Sequence, residues 1–349
     1  MYTRILFLAA QLQPFLVSGI RSLLENYEVE IIVYCRNDNQ NAMLDLPSDK
    51  RLKVFLYPDE PDTFFWNDIK SFNPQIVFCA GWMYWRYMNW CKALRKDGAK
   101  TICAMDTQWK GTLKQKALIL IAPFTIKKYF SYAWIPGNRQ MDYALRLGFE
   151  DDYILKYLYA PDTRLFQQAY SVFKQKQFHT FPKRFLYAGR MEFHKMGNLL
   201  TAFCSLNKEE LNGWELQLIG DGSMSGSHLL QNPFIQIQKS LPQQQLMEIA
   251  SNGGIFCLCS SDEPWGTVVQ EFSAAGMPLL VSKQCGSSDH FMNGNGIICD
   301  GTDVESIKNA LLRFISLSDE QLFEMSAKSH LLGISTNSDV WAKELMRLA

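Results

Sequence analysis

The sequence lacks several patterns that identify the chemistry of a protein most directly. Its 349 residues include 9 cysteines but no C-x-x-C pair, so neither a disulfide framework nor a zinc site is indicated. A G-x-G-x-x-G turn and a P-loop are both missing, and with them the signatures of dinucleotide and triphosphate binding. No apolar run is long enough to span a bilayer. We therefore expect no structural metal, no dinucleotide cofactor and no membrane-spanning helix.

Charge of either sign is not in excess, because 35 lysines and arginines balance 35 aspartates and glutamates. No overall attraction to nucleic acid follows, and no nucleic-acid partner is expected. Hydrophobic residues make up 47% of the chain and charged residues 20%, which is the balance of a folded protein long enough for two domains. The cysteines are odd in number and lie mostly in apolar runs, which favours a reducing compartment and a cytoplasmic protein.

The first half of the sequence alternates between short apolar runs and amphipathic segments. The apolar runs predict strands at 4–10, 29–35, 52–57, 75–81, 100–105, 132–136 and 153–159. The amphipathic segments predict helices at 15–27, 63–72, 88–97 and 138–147. Strands that alternate with helices predict a parallel, doubly wound α/β sheet. We assign this first domain to 1–166.

A polar stretch at 167–183 follows, and its glutamines and lysines favour a linker. The second domain is predicted at 184–332. Its strands are predicted at 184–189, 214–219, 234–238, 254–259, 277–282 and 294–300, again alternating with helical segments. The remaining residues, 333–349, contain a final predicted helix at 339–348.

The most informative stretch lies in the second domain, at 254–282. An apolar strand is followed by turn-forming residues and then by a predicted helix at 267–275, which a Gly-x-Pro sequence ends. Glu263 lies in the loop after the strand, and Glu271 lies eight positions later in the helix. Such a loop presents free backbone N–H groups at a helix N-terminus, where open α/β sheets bind ligands. We expect an anionic or hydroxyl-rich small molecule there.

Three motifs occur in the second domain in a fixed order. They are a G-R-x4-K-x-G pattern at 189–197, a G-D-G turn at 220–222 and the E-x7-E pattern of Glu263 and Glu271. The set resembles the retaining nucleotide-sugar glycosyltransferases of the family-four type, the glycosyl transferases group 1. The resemblance rests on specific motifs over 184–300, whereas over 1–166 it rests only on the order of strands and helices. It implies the GT-B fold, in which two Rossmann-like doubly wound domains face each other across a cleft.

The resemblance also implies a role for each motif residue. Glu271 would hold the ribose hydroxyls, and Glu263 would hold the hydroxyls of the donor sugar. Arg190 and Lys195 would neutralise the diphosphate, and two such cations can stabilise the leaving group without a metal or a cofactor. These residues, with Asp106 of the first domain, form the predicted catalytic set: Glu263, Arg190, Lys195 and Asp106. The predicted donor site comprises Glu271, Arg190, Lys195, Gly189, Gly220, Trp265, Gly266, Thr267 and Val268, with the Trp265 ring shaping the sugar pocket.

The first domain departs from the family pattern in two respects. Residues 11–14 stand where family members often have a glycine-rich loop after the first strand. All 5 histidines lie at position 179 or later, whereas the family often presents a histidine after the strand that ends here at Met105. Asp106 is the nearest polar residue to that place. Two roles are open to it, a hydrogen bond to the donor sugar or the acceptor, or the capping of a turn.

The segment at 114–134 is apolar and is flanked by lysines at 110, 114 and 116 on one side and at 127 and 128 on the other. A basic-flanked apolar segment suits peripheral contact with an anionic membrane surface, which would place the protein at the inner membrane face. The same pattern is also typical of a buried helix, interrupted at Pro123, with solvated lysines at its ends. Buried helices are commoner, so the second interpretation is the favoured one.

Sequence and resemblance together predict a retaining, metal-independent glycosyltransferase of the hexosyltransferase type. It would move a sugar from a nucleotide-diphosphate donor to a hydroxyl of a glycan or lipid-linked acceptor, bound by the first domain, in surface or exopolysaccharide synthesis. The final helix in 333–349 would cross back to brace the first domain. The alternative is a catalytically silent homologue that binds a nucleotide sugar or serves as an assembly partner. The missing histidine favours that alternative, whereas the intact second-domain motifs favour activity.

Overall fold

The structure is a computed structural model that describes residues 2–36, 46–57 and 64–349. The chain forms two compact units. Unit 1 comprises Met1–Asp162 and Thr336–Ala349, and unit 2 comprises Thr163–Ser335. Within the described residues each unit contains one parallel sheet connected by helices. The predicted α/β class with two Rossmann-like domains is confirmed.

Unit 1 is built on a sheet of 7 parallel strands among its described residues, in the order β3-β2-β1-β4-β5-β6-β7. The strands are β1 Thr3–Ala9, β2 Val29–Arg36, β3 Leu52–Tyr57, β4 Ile76–Cys79, β5 Lys100–Ala104, β6 Tyr132–Trp134 and β7 Ile154–Leu155. The helices are α1 Pro14–Asn26, α2 Phe64–Phe72, α3 Trp85–Lys96, α4 Leu113–Ile121, α5 Ile126–Tyr129, α6 Asn138–Arg146 and, from the end of the chain, α15 Ser338–Met346. Residue 63, part of the helix predicted at 63–72, lies outside the described residues. The strand order reverses between β1 and β4, which creates a crevice at the carboxyl ends of these strands.

The central strand β1 is buried on both of its faces. Ile5 and Phe7 point into one hydrophobic cluster, and Leu6 and Leu8 point into the other. Side chains alternate across a strand, so a strand covered on both sides reads as a continuous apolar run. This is why the sequence pattern located β1 almost to the residue.

The last helix, α15, packs on α1 and on the sheet of unit 1 through Trp341. Its fully buried ring lies 4.6 Å from Trp134 and 6.0 Å from Phe7, measured between ring centroids. The indole N–H donates a hydrogen bond to the carbonyl of Leu158 (2.9 Å). Gly19 of α1 makes room for this ring, because a Cβ at position 19 would lie 2.5 Å from Trp341 Cε3. Gly19 is therefore required by packing in unit 1.

The Gly19→Ala variant should lose about 1–3 kcal/mol of unfolding free energy, because the added methyl group overpacks the Trp341 site. Urea unfolding followed by tryptophan fluorescence would measure the loss. Gly226→Ala is the matched control, because a Cβ there meets nothing within 4 Å. Equal stability of the Gly19→Ala and Gly226→Ala variants would contradict this account of the α1–α15 contact.

Unit 2 is built on a sheet of 6 parallel strands in the order β10-β9-β8-β11-β12-β13. The strands are β8 Arg184–Ala188, β9 Glu215–Ile219, β10 Ile235–Gln238, β11 Ile255–Leu258, β12 Leu279–Ser282 and β13 Gly296–Cys299. The helices are α7 Thr163–Gln175, α8 Asn198–Cys204, α9 Lys208–Leu211, α10 Gln243–Ala250, α11 Thr267–Ala274, α12 Ser288–Phe291, α13 Val304–Ile315 and α14 Asp319–Gly333. A π-helical turn at Phe193–Gly197 precedes α8. Here the strand order reverses between β8 and β11.

The structure corrects the predicted linker at 167–183. Most of that stretch belongs to α7, which starts unit 2 at Thr163 and buries Phe166, Ala169 and Phe173. These buried positions are spaced as one face of a helix, but the glutamines and lysines between them hid the pattern. The boundary between the units therefore falls after Asp162, ahead of the predicted linker.

Candidate functional site

The residues of the sequence motifs in unit 2 lie in the segments that follow β8, β9 and β11, namely the loops at the carboxyl edge of the sheet and, for Glu271, helix α11. The loop after β8 contacts the loop after β11 directly, because Ser261 N–H donates a hydrogen bond to the carbonyl of His194 (2.8 Å). The strand order reverses between these two strands. In open α/β sheets, ligands bind at such a reversal, outside the carboxyl ends of the strands. The motifs therefore meet at the position where unit 2 is expected to bind a ligand.

Lys195 and Glu263 form an ion pair across these loops, with 2.5 Å between Lys195 Nζ and Glu263 Oε2. The two side chains are only 16% and 11% exposed. The main chain of Glu263 is fixed as well, because its carbonyl accepts a hydrogen bond from Gly286 N–H (3.0 Å). Two residues 68 positions apart are thus held as one unit. A positively charged group and a carboxylate lie side by side, and both can bind a polar ligand.

Glu271 lies on the buried side of α11 and is 8% exposed. Gln243, the first residue of α10, donates a hydrogen bond from Nε2 to Glu271 Oε1 (3.0 Å). Burial disfavours the charged form and raises the pKa of the Glu271 carboxyl to about 7, although the Gln243 bond acts in the opposite direction. A buried carboxylate with one amide partner retains lone pairs that vicinal hydroxyls can satisfy.

Gly189 and Gly220 follow β8 and β9 and lie against each other. A Cβ on Gly220 would come within 1.9 Å of the Gly189 carbonyl oxygen, so no larger residue fits at position 220. The Tyr187 hydroxyl donates a hydrogen bond to the carbonyl of Arg190 (2.6 Å), which fixes the backbone that carries the arginine. Arg190 itself is exposed, and its guanidinium donates no hydrogen bond to a described residue. It is available to an anion.

The N-terminus of α11 is formed by Gly266, Thr267 and Val268. Gly266 adopts a left-handed conformation (φ 86°), and a Cβ there would meet Leu258 Cδ2 at 2.8 Å and Cys285 Sγ at 2.9 Å. Since glycine has no side chain, it cannot cap the first N–H groups of the helix. Together with the helix dipole, these groups favour negative charge at this end of α11.

The structure corrects the predicted role of the Trp265 ring. Trp265 is 4% exposed, and its ring packs on His290 (5.2 Å between centroids) and Phe291 (6.4 Å). The buried ring therefore stabilises the loop after β11 by packing on α12, and it does not present a face to a sugar. Its carbonyl accepts a hydrogen bond from Ser287 N–H (3.0 Å), so the residue ties the loop after β11 to the loop after β12.

Unit 1 contains a cavity of about 260 Å³ at the carboxyl ends of β1, β4 and β5, where its own strand order reverses. Most of its lining is apolar, including Phe78, Trp82 and Met83. Asp106 also lines it and accepts a hydrogen bond from the Tyr159 hydroxyl at Oδ2 (3.0 Å). The Asp106 carboxylate therefore lies at the wall of this cavity, and its role toward a sugar stays a prediction.

The segment at 114–134 is not the buried helix that the sequence favoured. Within α4 only Gln115 is buried, while Leu113 is 84% exposed and Leu120 is 79% exposed. Phe124, in the turn after α4, is 79% exposed. Among the residues that the structure describes, no helix is long and apolar enough to cross a membrane.

The described residues contain no group of three or more histidine, cysteine, aspartate or glutamate side chains that could hold a metal ion. Residues 171–329, which include every motif of the site in unit 2, match the family model of the glycosyl transferases group 1. This region is a glycosyl transferases group 1 domain, and the protein is a glycosyltransferase. A comparison with curated protein sequences finds no match.

Solved structures similar to the glycosyltransferase agree on the fold. Anabaena HepE, crystallised with UDP and glucose, has a TM-score of 0.73 at 11% identity, with 99% of each chain covered. Sucrose-phosphate synthase from Thermosynechococcus elongatus has a TM-score of 0.73 at 11% identity, covering 99% of this chain and 97% of that one. WaaG, a glycosyltransferase involved in lipopolysaccharide biosynthesis, has a TM-score of 0.66 at 11% identity, covering 99% and 98%. At this identity the likeness shows the fold alone, which is GT-B.

Two residues of the glycosyltransferase's candidate sites were missed by the sequence analysis. Gln243 supports Glu271, and Tyr159 supports Asp106. Neither belongs to a motif, and each comes from an element distant in sequence from its partner. A glutamine at the first position of a helix was visible in the sequence, but nothing there indicated which carboxylate it would reach.

Proposed function

We propose that this glycosyltransferase is a retaining, metal-independent enzyme that moves a sugar from a nucleotide-diphosphate donor to an acceptor hydroxyl. The observation that carries the proposal is the Lys195–Glu263 ion pair at the strand-order reversal of unit 2, with Arg190 and Glu271 in the segments that follow the same two strands. The two cations and the uncapped helix N-terminus match the diphosphate of such a donor, and the two carboxylates match the hydroxyls of its ribose and its sugar. The donor-binding groups thus all belong to the matched family region.

Each part of the donor has a matching group. The ribose hydroxyls would bind Glu271, whose carboxylate accepts a hydrogen bond from Gln243 as its one side-chain donor among the described residues. The diphosphate would bind Arg190, Lys195 and the N–H groups at the start of α11. The donor-sugar hydroxyls would bind Glu263. In transfer, the bond between the anomeric carbon and the diphosphate oxygen breaks while the acceptor oxygen bonds to that carbon on the same face.

The proton of the acceptor hydroxyl would pass to the departing diphosphate oxygen, so that the step balances without a separate base. Arg190 and Lys195 stabilise the charge that develops on the diphosphate, which is the work a divalent cation would otherwise do. Anabaena HepE in complex with UDP-glucose supports a uridine diphosphate donor for this chain. We place the reaction in the cytoplasm, because none of the 9 cysteines forms a disulfide.

The cavity of unit 1 is the proposed acceptor site, with Asp106 and Tyr159 as its polar end. A glycan or lipid-linked acceptor in surface polysaccharide synthesis fits the mostly apolar lining, and the named role of WaaG supports such an acceptor. The catalytically silent homologue remains the second candidate. It is favoured by the absence of a histidine before position 179.

Thermal unfolding with a panel of nucleoside diphosphates, in the presence of EDTA, tests donor binding. A ligand at a hundredfold excess over its dissociation constant should stabilise the protein by about 2.7 kcal/mol. The shift should vanish in Arg190→Ala and persist in Arg313→Ala, a matched control because Arg313 is an exposed arginine on α13. No shift with any diphosphate would overturn the donor site, and a product with inverted anomeric configuration by NMR would overturn retention.

A further inference from the structure

Helix α4 of unit 1 is apolar on the side that faces solvent. Its inward side consists of Gln115, Leu118 and Ile119, the last two of which pack on a hydrophobic cluster of unit 1. Its outward side carries Leu113 and Leu120, 84% and 79% exposed, and continues with Phe124 at 79%. These exposed residues are spaced by seven and four positions, so they form one stripe. A surface helix normally presents charged and polar residues there.

The chain segments that carry and adjoin the stripe are rich in lysine and arginine. Residues 107–130 include five lysines and no acidic residue, although the whole chain has a formal net charge of +0. Lys114, Lys116 and Lys128 are exposed. Helix α3, which contacts α5, adds two arginines and two lysines and again no acidic residue. Repulsion from Lys128 is the largest cause of the lowered pKa of Lys92, so these two ammonium groups face each other across the helices.

Helix α4 is fixed to the loop that leads from the acceptor cavity. Thr112 and Gln115 form a capping box at its N-terminus. The Gln115 side chain also donates a hydrogen bond to the carbonyl of Gln108 (2.8 Å) and accepts one from Lys110 N–H (2.9 Å). The same loop begins with Asp106 and Thr107 of the cavity. The apolar stripe is therefore a rigid feature next to the cavity along the chain.

We propose that α4 and the turn after it dock on the surface of a bilayer that contains anionic lipids. Leu113, Leu120 and Phe124 enter the boundary between headgroups and acyl chains, and the exposed lysines meet the anionic headgroups. A second copy of this chain does not fit the surface, because a twofold interface would bring the lysines against themselves. Docking stands independently of the transfer reaction. The further step, in which the enzyme reaches its acceptor from the bilayer, rests on the proposed function.

Flotation of the purified protein with vesicles tests the docking. We expect co-flotation with vesicles of phosphatidylcholine and phosphatidylserine in equal parts, little with phosphatidylcholine alone, and release when the salt concentration is raised. The Leu120→Asn/Phe124→Ser variant should bind about tenfold more weakly or worse, because two apolar side chains no longer leave water. The Lys114→Gln/Lys116→Gln variant should also lose about tenfold.

Matched controls come from unit 2. Leu331→Asn removes another exposed leucine (65%), and Lys174→Gln/Lys208→Gln removes two exposed lysines, so both controls should float as well as the parent protein. All variants should retain the parent's unfolding temperature and its shift with nucleoside diphosphate, which separates a failure of docking from a failure of the donor site. Absence of flotation, flotation unchanged by the α4 variants, or a dimer in solution that those variants abolish would each overturn the proposal.

Discussion

The Glu263→Gln variant should transfer sugar about a hundredfold to a thousandfold more slowly at saturating donor, with its fold unchanged. Glutamine keeps the shape of the side chain but loses the charge that Lys195 Nζ faces at 2.5 Å. In the proposed mechanism the hydroxyls of the donor sugar then bind a neutral hydrogen-bond acceptor, and Lys195 loses the carboxylate that it pairs with in the free enzyme. Donor affinity should change much less than the turnover rate, because the unpaired Lys195 is freed for the diphosphate.

A double-mutant cycle with Lys195→Met separates two explanations. If Glu263 acts only by positioning Lys195, the double variant will be no slower than the slower single variant. If each side chain contacts the donor, the losses will add. Glu324→Gln is the matched control, because Glu324 pairs with Lys328 at 2.7 Å in the same unit, where both side chains are exposed. A Glu263→Gln variant with unchanged turnover would remove Glu263 from the mechanism, and a parent protein with no turnover would favour the silent homologue.

Donor affinity should rise with pH up to about 7 and then level off. In the free protein the Glu271 carboxyl, with a pKa of about 7, is half protonated at that pH. The ionised carboxylate is the better acceptor of the hydrogen bonds that the ribose hydroxyls would donate. Binding below that pH must therefore release a proton, and the dissociation constant should fall by up to about tenfold per pH unit. Calorimetric titration in two buffers with different ionisation enthalpies would count the protons released.

The Glu271 carboxylate also lowers the free energy of unfolding at high pH. Its pKa is about 7 in the folded chain and has an ordinary value of 4.5 in the unfolded chain, so between these values the folded state binds more protons. Stability attributable to this group is therefore lost as the pH rises from 4.5 to about 7. Glu271→Gln should regain at most about 3 kcal/mol at pH ~8 and nothing at pH ~4.

Glu248→Gln is the control for both measurements, because Glu248 is an exposed residue of α10. It should change neither donor affinity nor the pH profile of stability. Glu271→Gln should gain stability in urea unfolding at high pH while losing donor affinity and its pH dependence. A Glu271→Gln protein that binds the donor as well as the parent does would show that the ribose is held elsewhere.

The sheet of each unit could be predicted from the sequence because parallel strands buried on both faces are short apolar runs. β1, β8 and β11 are of this kind and lie close to their predicted positions. Helix α7 was missed, because its buried face is interrupted by glutamines and lysines that only tertiary contacts distinguish from linker residues. β7 is shorter than the predicted 153–159, because only Ile154–Leu155 pair with β6.

The motif order predicted the glycosyl transferases group 1 domain and the residues of the candidate donor site, because the motif residues follow particular strands and helix starts along the chain. The sequence could not determine which groups touch. Whether Lys195 meets Glu263, whether Gln243 reaches Glu271 and whether the Trp265 ring points inward depend on how loops distant in sequence pack together. Nor could it determine the exposure of Leu120 and Phe124. The residue type does not show whether an apolar side chain of a helix is buried or exposed. Only the packing of α4 on unit 1 decides which side of the helix is buried.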